Sequence, residues 1–187
     1  IEKENIQYFD KKKLVPFGEF LPLRNTLFFL DQIVGKKDFK SGQGERILST
    51  SNNLNIIPII CYEIIFYNEL LNYKNINSDL IVNITNDSWF GNLSGPYQHF
   101  YLTRLRSAEF NKPLIRVSNN GISAYIDNFG NIVSFTELNK KEIKKIKISL
   151  LKDQKNLLNY HRVILYLFSL LILFALILNY KNESRKI

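Results

Sequence analysis

The chain has 187 residues, 45% of them hydrophobic, and a net charge of +8. That is enough apolar material for one packed domain, and it excludes a disordered chain. One cysteine excludes an internal disulfide, one cysteine with two distant histidines argues against a zinc site, and the basic residues come without an RNP, helix-turn-helix or zinc-finger pattern, so no nucleic-acid partner is expected.

The chain holds no methionine and begins at Ile1, so a preceding N-terminal part is expected. "NIQYF" (5–9) reads as a strand. In "FDKKKLVPFGEFLPL" (9–23), Lys11 falls at the end of that strand and Glu19 in a loop bounded by Pro and Gly. The polar, Gly/Ser/Lys-rich stretch 35–53 reads as a long surface loop. "NIIPIIC" (55–61) reads as a strand buried on both faces, "YNELLNYKN" (67–75) as a short helix and "DLIVNIT" (79–85) as another buried strand. "GPYQHFYLTRLRSAEFN" (95–111) carries apolar residues at helical spacing and stops before Pro113. "PLIRVS", "ISAYID" and "IVSFT" read as three strands, separated by Asn119-Asn120-Gly121 and Asn128-Phe129-Gly130. Strands alternating with helices, followed by antiparallel hairpins, predict a layered α/β domain with a mixed sheet.

Lys140, Lys141, Lys144, Lys145 and Lys147 then precede an apolar run, "VILYLFSLLILFALIL" (163–178), interrupted only by Ser169. Extended from Tyr160 to Tyr180 it would make a helix about 31 Å long, the thickness of a bilayer core. Tyr160 and Tyr180 suit the two interfaces, and Arg162 and Lys181 can snorkel. The expected organisation is a domain over 1–158, a transmembrane helix over 160–180 and a short basic tail over 181–187.

Three stretches could carry chemistry. Cys61 stands where a strand gives way to a turn, a place where a nucleophile can leave the sheet edge and backbone N–H groups can face a developing oxyanion. An inert buried cysteine is the alternative. Lys11 could stabilise a thiolate or an oxyanion and Glu19 could hold it, although Lys12 and Lys13 follow directly. Trp89 and Phe90 in "TNDSWFG" could line an acyl-chain pocket or form a local hydrophobic cluster. His99 is the candidate base of a rival Cys–His hydrolase.

Taken in order, "LVPFGEFLP", "IICYE", "TNDSWFG", "QHFYLTRLRSAE" and "RVSNNGISAYID" resemble the nitrilase-like carbon–nitrogen hydrolase domain of the apolipoprotein N-acyltransferases, over about residues 6 to 134. The resemblance implies an α/β; nitrilase-like α/β/β/α sandwich, partial here, followed by one C-terminal transmembrane helix. It implies transfer of an acyl chain from a phospholipid acyl donor to the N-terminal amine of a diacylglyceryl-modified apolipoprotein acceptor, with no cofactor and no metal. Cys61 maps onto the nucleophile, Lys11 onto the catalytic lysine, Glu19 and Glu63 onto two further essential carboxylates, and Trp89 onto an active-site loop aromatic. The Tyr62 backbone N–H is the expected oxyanion donor. The family's general base is a glutamate well upstream of the lysine. Only Glu2 and Glu4 precede Lys11, so this chain matches the C-terminal part of such an enzyme and is expected to have little activity alone. A membrane-tethered amidase and an inactive membrane-anchored remnant are the other readings. Counting basic residues on the two sides of the apolar run would place the domain in the cytoplasm. The resemblance places it on the periplasmic side of the bacterial inner membrane.

Overall fold

The computed structural model describes residues 7–66, 78–150 and 158–184; side chains of 158–162 and 180–184 lie outside that description, as does the expected helix over 67–75. The chain divides into two units, Ile1–Gln154 and Lys155–Ile187.

The first unit is built on a six-stranded mixed sheet in the order β1 (Leu48–Ser49), β2 (Asn55–Ile60), β3 (Leu80–Thr85), β4 (Leu114–Ser118), β5 (Ala124–Ile126) and β6 (Ile132–Phe135). β2, β3 and β4 run parallel, and the outer pairs are antiparallel. The registers Ile57↔Ile81↔Leu114↔Ile126 and Ile59↔Asn83↔Arg116↔Ala124 put these residues on one face, all of them buried. That face forms the core. The opposite face is more open: Val82 and Ile115 are half-buried, and Ile84 is 60% and Val117 50% exposed. The expectation that β2 is buried on both faces is therefore corrected: Ile56, Pro58 and Ile60 are only half-buried. Apolar residues line both faces, but the second is covered only in part, at Leu80 and Tyr125.

α1 (Asp31–Val34) is a single turn, and α2 (Ser94–Phe110) is the main helix. α2 packs against β4 and the turns that follow β2 and β3. Pro96 falls in its first turn, where a missing N–H costs nothing. Asn111 closes it in the left-handed conformation, at φ 51°. The buried stripe is Pro96, His99, Phe100, Thr103, Arg106, Ser107 and Phe110, whereas Tyr97, Tyr101 and Leu105 are exposed. The helix expected over 95–111 is present, and its inner face is largely polar because it covers a buried polar cluster.

Two further expectations are corrected. Residues 7–9 form no strand; the Gln7 side chain instead exchanges two hydrogen bonds with the backbone of Ser49, at 2.7 and 2.9 Å, imitating a strand pair at the sheet edge. Stretch 35–53 is not wholly a surface loop: it contributes β1 and the buried Arg46.

The second unit contains α3 (Leu158–Ser184), 27 residues long. Its described side chains, 163–179, are all exposed. As a helix they cover about 25 Å, short of the bilayer core, and no helix among the described residues is long and apolar enough to cross a membrane. The expected span reaches beyond them to Tyr160 and Tyr180, whose side chains lie outside the described residues.

Candidate active site

At the carboxyl end of β2 the chain leaves the sheet through a 3-10 turn, Cys61–Ile65. Cys61 opens that turn at φ +55°. A non-glycine residue in this region stores about 1–3 kcal/mol. Such a cost persists only where the surroundings fix it. Cys61 lines a cavity of about 340 Å³ together with Val15, Gly18, Glu19, Tyr62, Trp89 and Phe90. The cavity lies outside the ends of parallel strands, where ligands of open α/β sheets bind.

Glu63, two residues on, is 1% exposed. One carboxylate oxygen accepts from the backbone N–H of Lys12 (2.7 Å) and Lys13 (2.9 Å) and from Arg46 Nη2 (2.9 Å). The other accepts from the Ile60 N–H (2.8 Å) and Arg46 Nη1 (2.9 Å). Burial alone would raise the Glu63 pKa; the hydrogen bonds from Arg46 and from the Ile60 and Lys13 amides more than offset this and hold it below the ordinary value. An ionised carboxylate with its lone pairs filled is a clamp. It ties segment 11–13 to the turn that carries Cys61.

Lys11 is on that clamped segment, which is irregular rather than the end of a strand. Its Nζ donates to both Glu19 oxygens, at 2.5 and 2.7 Å, and Glu19 also accepts from the Val15 N–H at 2.8 Å. Glu19 lines the Cys61 cavity and a second cavity of about 410 Å³, whereas Lys11 lines only the second. Lys11 is therefore joined to the Cys61 cavity through Glu19.

The expected aromatic pair separates. Trp89 is 71% exposed, with its ring against Gly18 at the cavity wall. Phe90 stacks on Tyr62 and His99, at ring distances of 6.0 and 5.2 Å. Trp89 is free to meet a ligand; Phe90 belongs partly to a packed aromatic cluster. His99 is buried, with Nδ1 2.9 Å from Asp87 Oδ1, and among the described residues no hydrogen bond joins it to Cys61. That arrangement does not favour the Cys–His rival.

Behind the cavity, Asp87 Oδ2 accepts from Arg116 Nη2 at 2.6 Å, and both residues are buried. Burial would raise the Asp87 pKa, but the His99 hydrogen bond and the Arg116 charge pull it down to about 2. Gly121 fits here because a Cβ would lie 1.9 Å from Asp87 Oδ2. Arg46, Asn83, Asp87 and Arg116 were not singled out from the sequence as site residues. A polar residue in the middle of an apolar strand was the available signal for Asn83 in "LIVNIT" and Arg116 in "PLIRVS". Arg46 offered none.

The carbon-nitrogen hydrolase family model matches residues 3–152. The apolipoprotein N-acyltransferase of Rickettsia prowazekii (strain Madrid E) is 46% identical over 79% of this chain and 29% of its own length. The enzyme of the same name from Allorhizobium ampelinum is 35% identical over 91% of this chain and 33% of its own. The chain thus spans about a third or less of these relatives. Among solved structures, the glutamine-dependent NAD+ synthetase of Acinetobacter baumannii matches with a TM-score of 0.50 at 13% identity, over 59% of this chain and 22% of that one, a likeness of fold alone.

Asp87 supplies a pH test. Its folded pKa of about 2 lies below the ordinary 3.8, so its ionised form stabilises the fold fully above the ordinary value, and that contribution is lost as pH falls through about 2. Asp87→Asn is expected to lose about 2 kcal/mol at neutral pH. In urea melts across pH, the gap between parent and variant should narrow between about pH 4 and pH 2. A gap unchanged to the acid end would show that the carboxylate's charge is not what stabilises this cluster.

Proposed function

The chain belongs to the carbon-nitrogen hydrolase family, and on that premise we propose that it is the nucleophile-bearing part of an N-acyltransferase that moves a fatty acyl chain from a membrane phospholipid to the N-terminal amine of a lipoprotein. The single observation that carries this reading is the Cys61 cavity, which holds a strained thiol, a lysine-paired carboxylate and an exposed tryptophan in one place. The names of the relatives favour the same chemistry.

In the proposed reaction Cys61 gives its proton to a carboxylate base, expected upstream of Lys11. The thiolate attacks the ester carbonyl. The oxyanion is held by the Tyr62 N–H and by the Lys11 N–H that Glu19 does not use. The C–O bond breaks, the protonated lysophospholipid leaves and an acyl thioester remains on Cys61. The lipoprotein amine then attacks the thioester, the C–S bond breaks, and the amine's proton returns through the base. Glu63 acts as the positioning carboxylate.

Other parts of the molecule fit this reading. The open sheet face with Ile84 and Val117 suits a second sheet stacked against it, as in a four-layer α/β/β/α sandwich. α3 would be a membrane anchor: its 27 residues make a helix of about 40 Å, long enough to span a bilayer core with some tilt. We place the first unit on the periplasmic side of the inner membrane, where diacylglyceryl-modified lipoproteins would meet it.

Mass spectrometry after incubation of the complete enzyme with phospholipid tests the central step. An acyl adduct is expected on Cys61 and none on Cys61→Ala; an adduct on the variant would remove Cys61 from the chemistry. Lys11→Ala should slow adduct formation by about 2.7–4 kcal/mol of barrier. Lys12→Ala should do little, because the clamp holds Lys12 by its backbone and its Nζ donates to the exposed Gly44 carbonyl, away from the Cys61 cavity lining. Equal losses would mean a diffuse basic patch. A small soluble ester that acylates Cys61 while phospholipid does not would favour the amidase reading.

The exposure of Trp89 sets a second test. Trp89→Ala should leave the melting temperature nearly unchanged, because its ring is not core. It should weaken turnover of a long-chain phospholipid far more than of a short soluble ester. A Trp offers on the order of 200 Å² to a chain, worth a few kcal/mol at about 25 cal/mol per Å². Equal loss on both substrates with a large fall in melting temperature would return Trp89 to a structural role.

A further inference from the structure

The proposed chemistry leaves unused a set of buried polar side chains behind Cys61. Asn83 on β3 donates through Nδ2 to the carbonyls of Ile59 (3.2 Å) and Cys61 (3.3 Å). Its Oδ1 accepts from Arg116 Nη1 on β4 at 2.7 Å. An arginine can only donate, so this contact fixes which end of the Asn83 amide faces Arg116 and which faces the two carbonyls. Those carbonyls bracket the point where the chain leaves β2 and turns to φ +55° at Cys61. Arg116 is itself held by Asp87, Thr103 Oγ1 at 2.9 Å and the Ile122 carbonyl at 3.2 Å. Asn83, Asp87, Thr103 and Arg116 are all buried.

We infer that Arg116 and Asn83 are positioning residues for Cys61: their contact holds the Cys61 peptide in its left-handed conformation, and with it the presentation of the thiol. This inference rests on Cys61 being the nucleophile. Burial pulls the Arg116 pKa below its ordinary value, while Asp87 and, beyond it, the Cys61 thiolate pull the other way. The remaining charged or titratable groups around Cys61 are accounted for. Glu19 across the cavity is paired with Lys11, Glu63 on the same turn with Arg46, and Asp87 with Arg116 and His99. Arg116 is paired in the same way with Asp87, so its link to the Cys61 turn runs through Asn83. A merely structural polar core would stabilise the fold without moving the reactivity of the thiol.

Cys61 is the only cysteine, so alkylation by iodoacetamide reports on one site and needs no acyl substrate. The measurement is its rate against pH on the purified full chain. Arg116→Gln should slow alkylation at neutral pH roughly tenfold, because the Asn83 amide loses the guanidinium that fixes its orientation. Arg116→Lys, which keeps a donor toward Asn83 Oδ1, should restore most of the rate. Asn83→Asp, close in size and still a partner for Arg116, should also slow it, because the donor to the Cys61 carbonyl is lost. If an Arg116 variant fails to fold, Asn83→Asp carries the test. Folded variants whose profiles match the parent would overturn the inference. A parent Cys61 that alkylates at no pH would instead count against the nucleophile itself.

Discussion

One buried carboxylate holds the site together. Glu63 accepts five hydrogen bonds, from the Lys12, Lys13 and Ile60 amides and from both terminal nitrogens of Arg46. Desolvating an ionised carboxylate costs several kcal/mol, which only good geometry and satisfied lone pairs offset. Here those conditions are met by groups from three separate stretches of sequence. The irregular segment bearing Lys11 has no place in the sheet ladder, so its register against Cys61 depends on this contact. Glu19 then reaches the Cys61 cavity from one side, paired with Lys11.

A second buried charge system lies on the other side of the Cys61 turn. Asp87, Arg116, His99 and Asn83 form a connected cluster between the sheet and α2. It explains why the inner face of α2 is polar: Thr103 bonds Arg116, and His99 bonds Asp87. Ionic groups in low dielectric interact strongly and tolerate little misplacement. Under the proposed function, the strained Cys61 thiol set between two such networks would be preorganised for acyl transfer.

Much of this is legible in the amino-acid order, and the exceptions have physical reasons. The apolar runs of β2 and β3, the hairpins after β4 and the strand-to-turn position of Cys61 follow from periodicity and turn residues. Two-sided burial of β2 does not hold, because apolar character does not say whether a covering layer is present among the described residues. The helix of α2 follows from its spacing, but its inner face does not, because Thr103 and His99 on it meet Arg116 and Asp87. Arg46 sits in a stretch with loop composition, and only long-range pairing with Glu63 makes it a core residue. Gln7 replaces a strand pair with its side chain, which no pattern of period two reveals.

Amide hydrogen exchange tests the clamp most directly. The Lys12 and Lys13 N–H groups lie far from that of Ile60 in the sequence, yet all three share one acceptor side chain. They should be protected in the parent, and Glu63→Ala should release the amides of Lys12 and Lys13 while the β2–β3 ladder stays protected. Free exchange at Lys12 and Lys13 in the parent, with the sheet protected, would contradict the account.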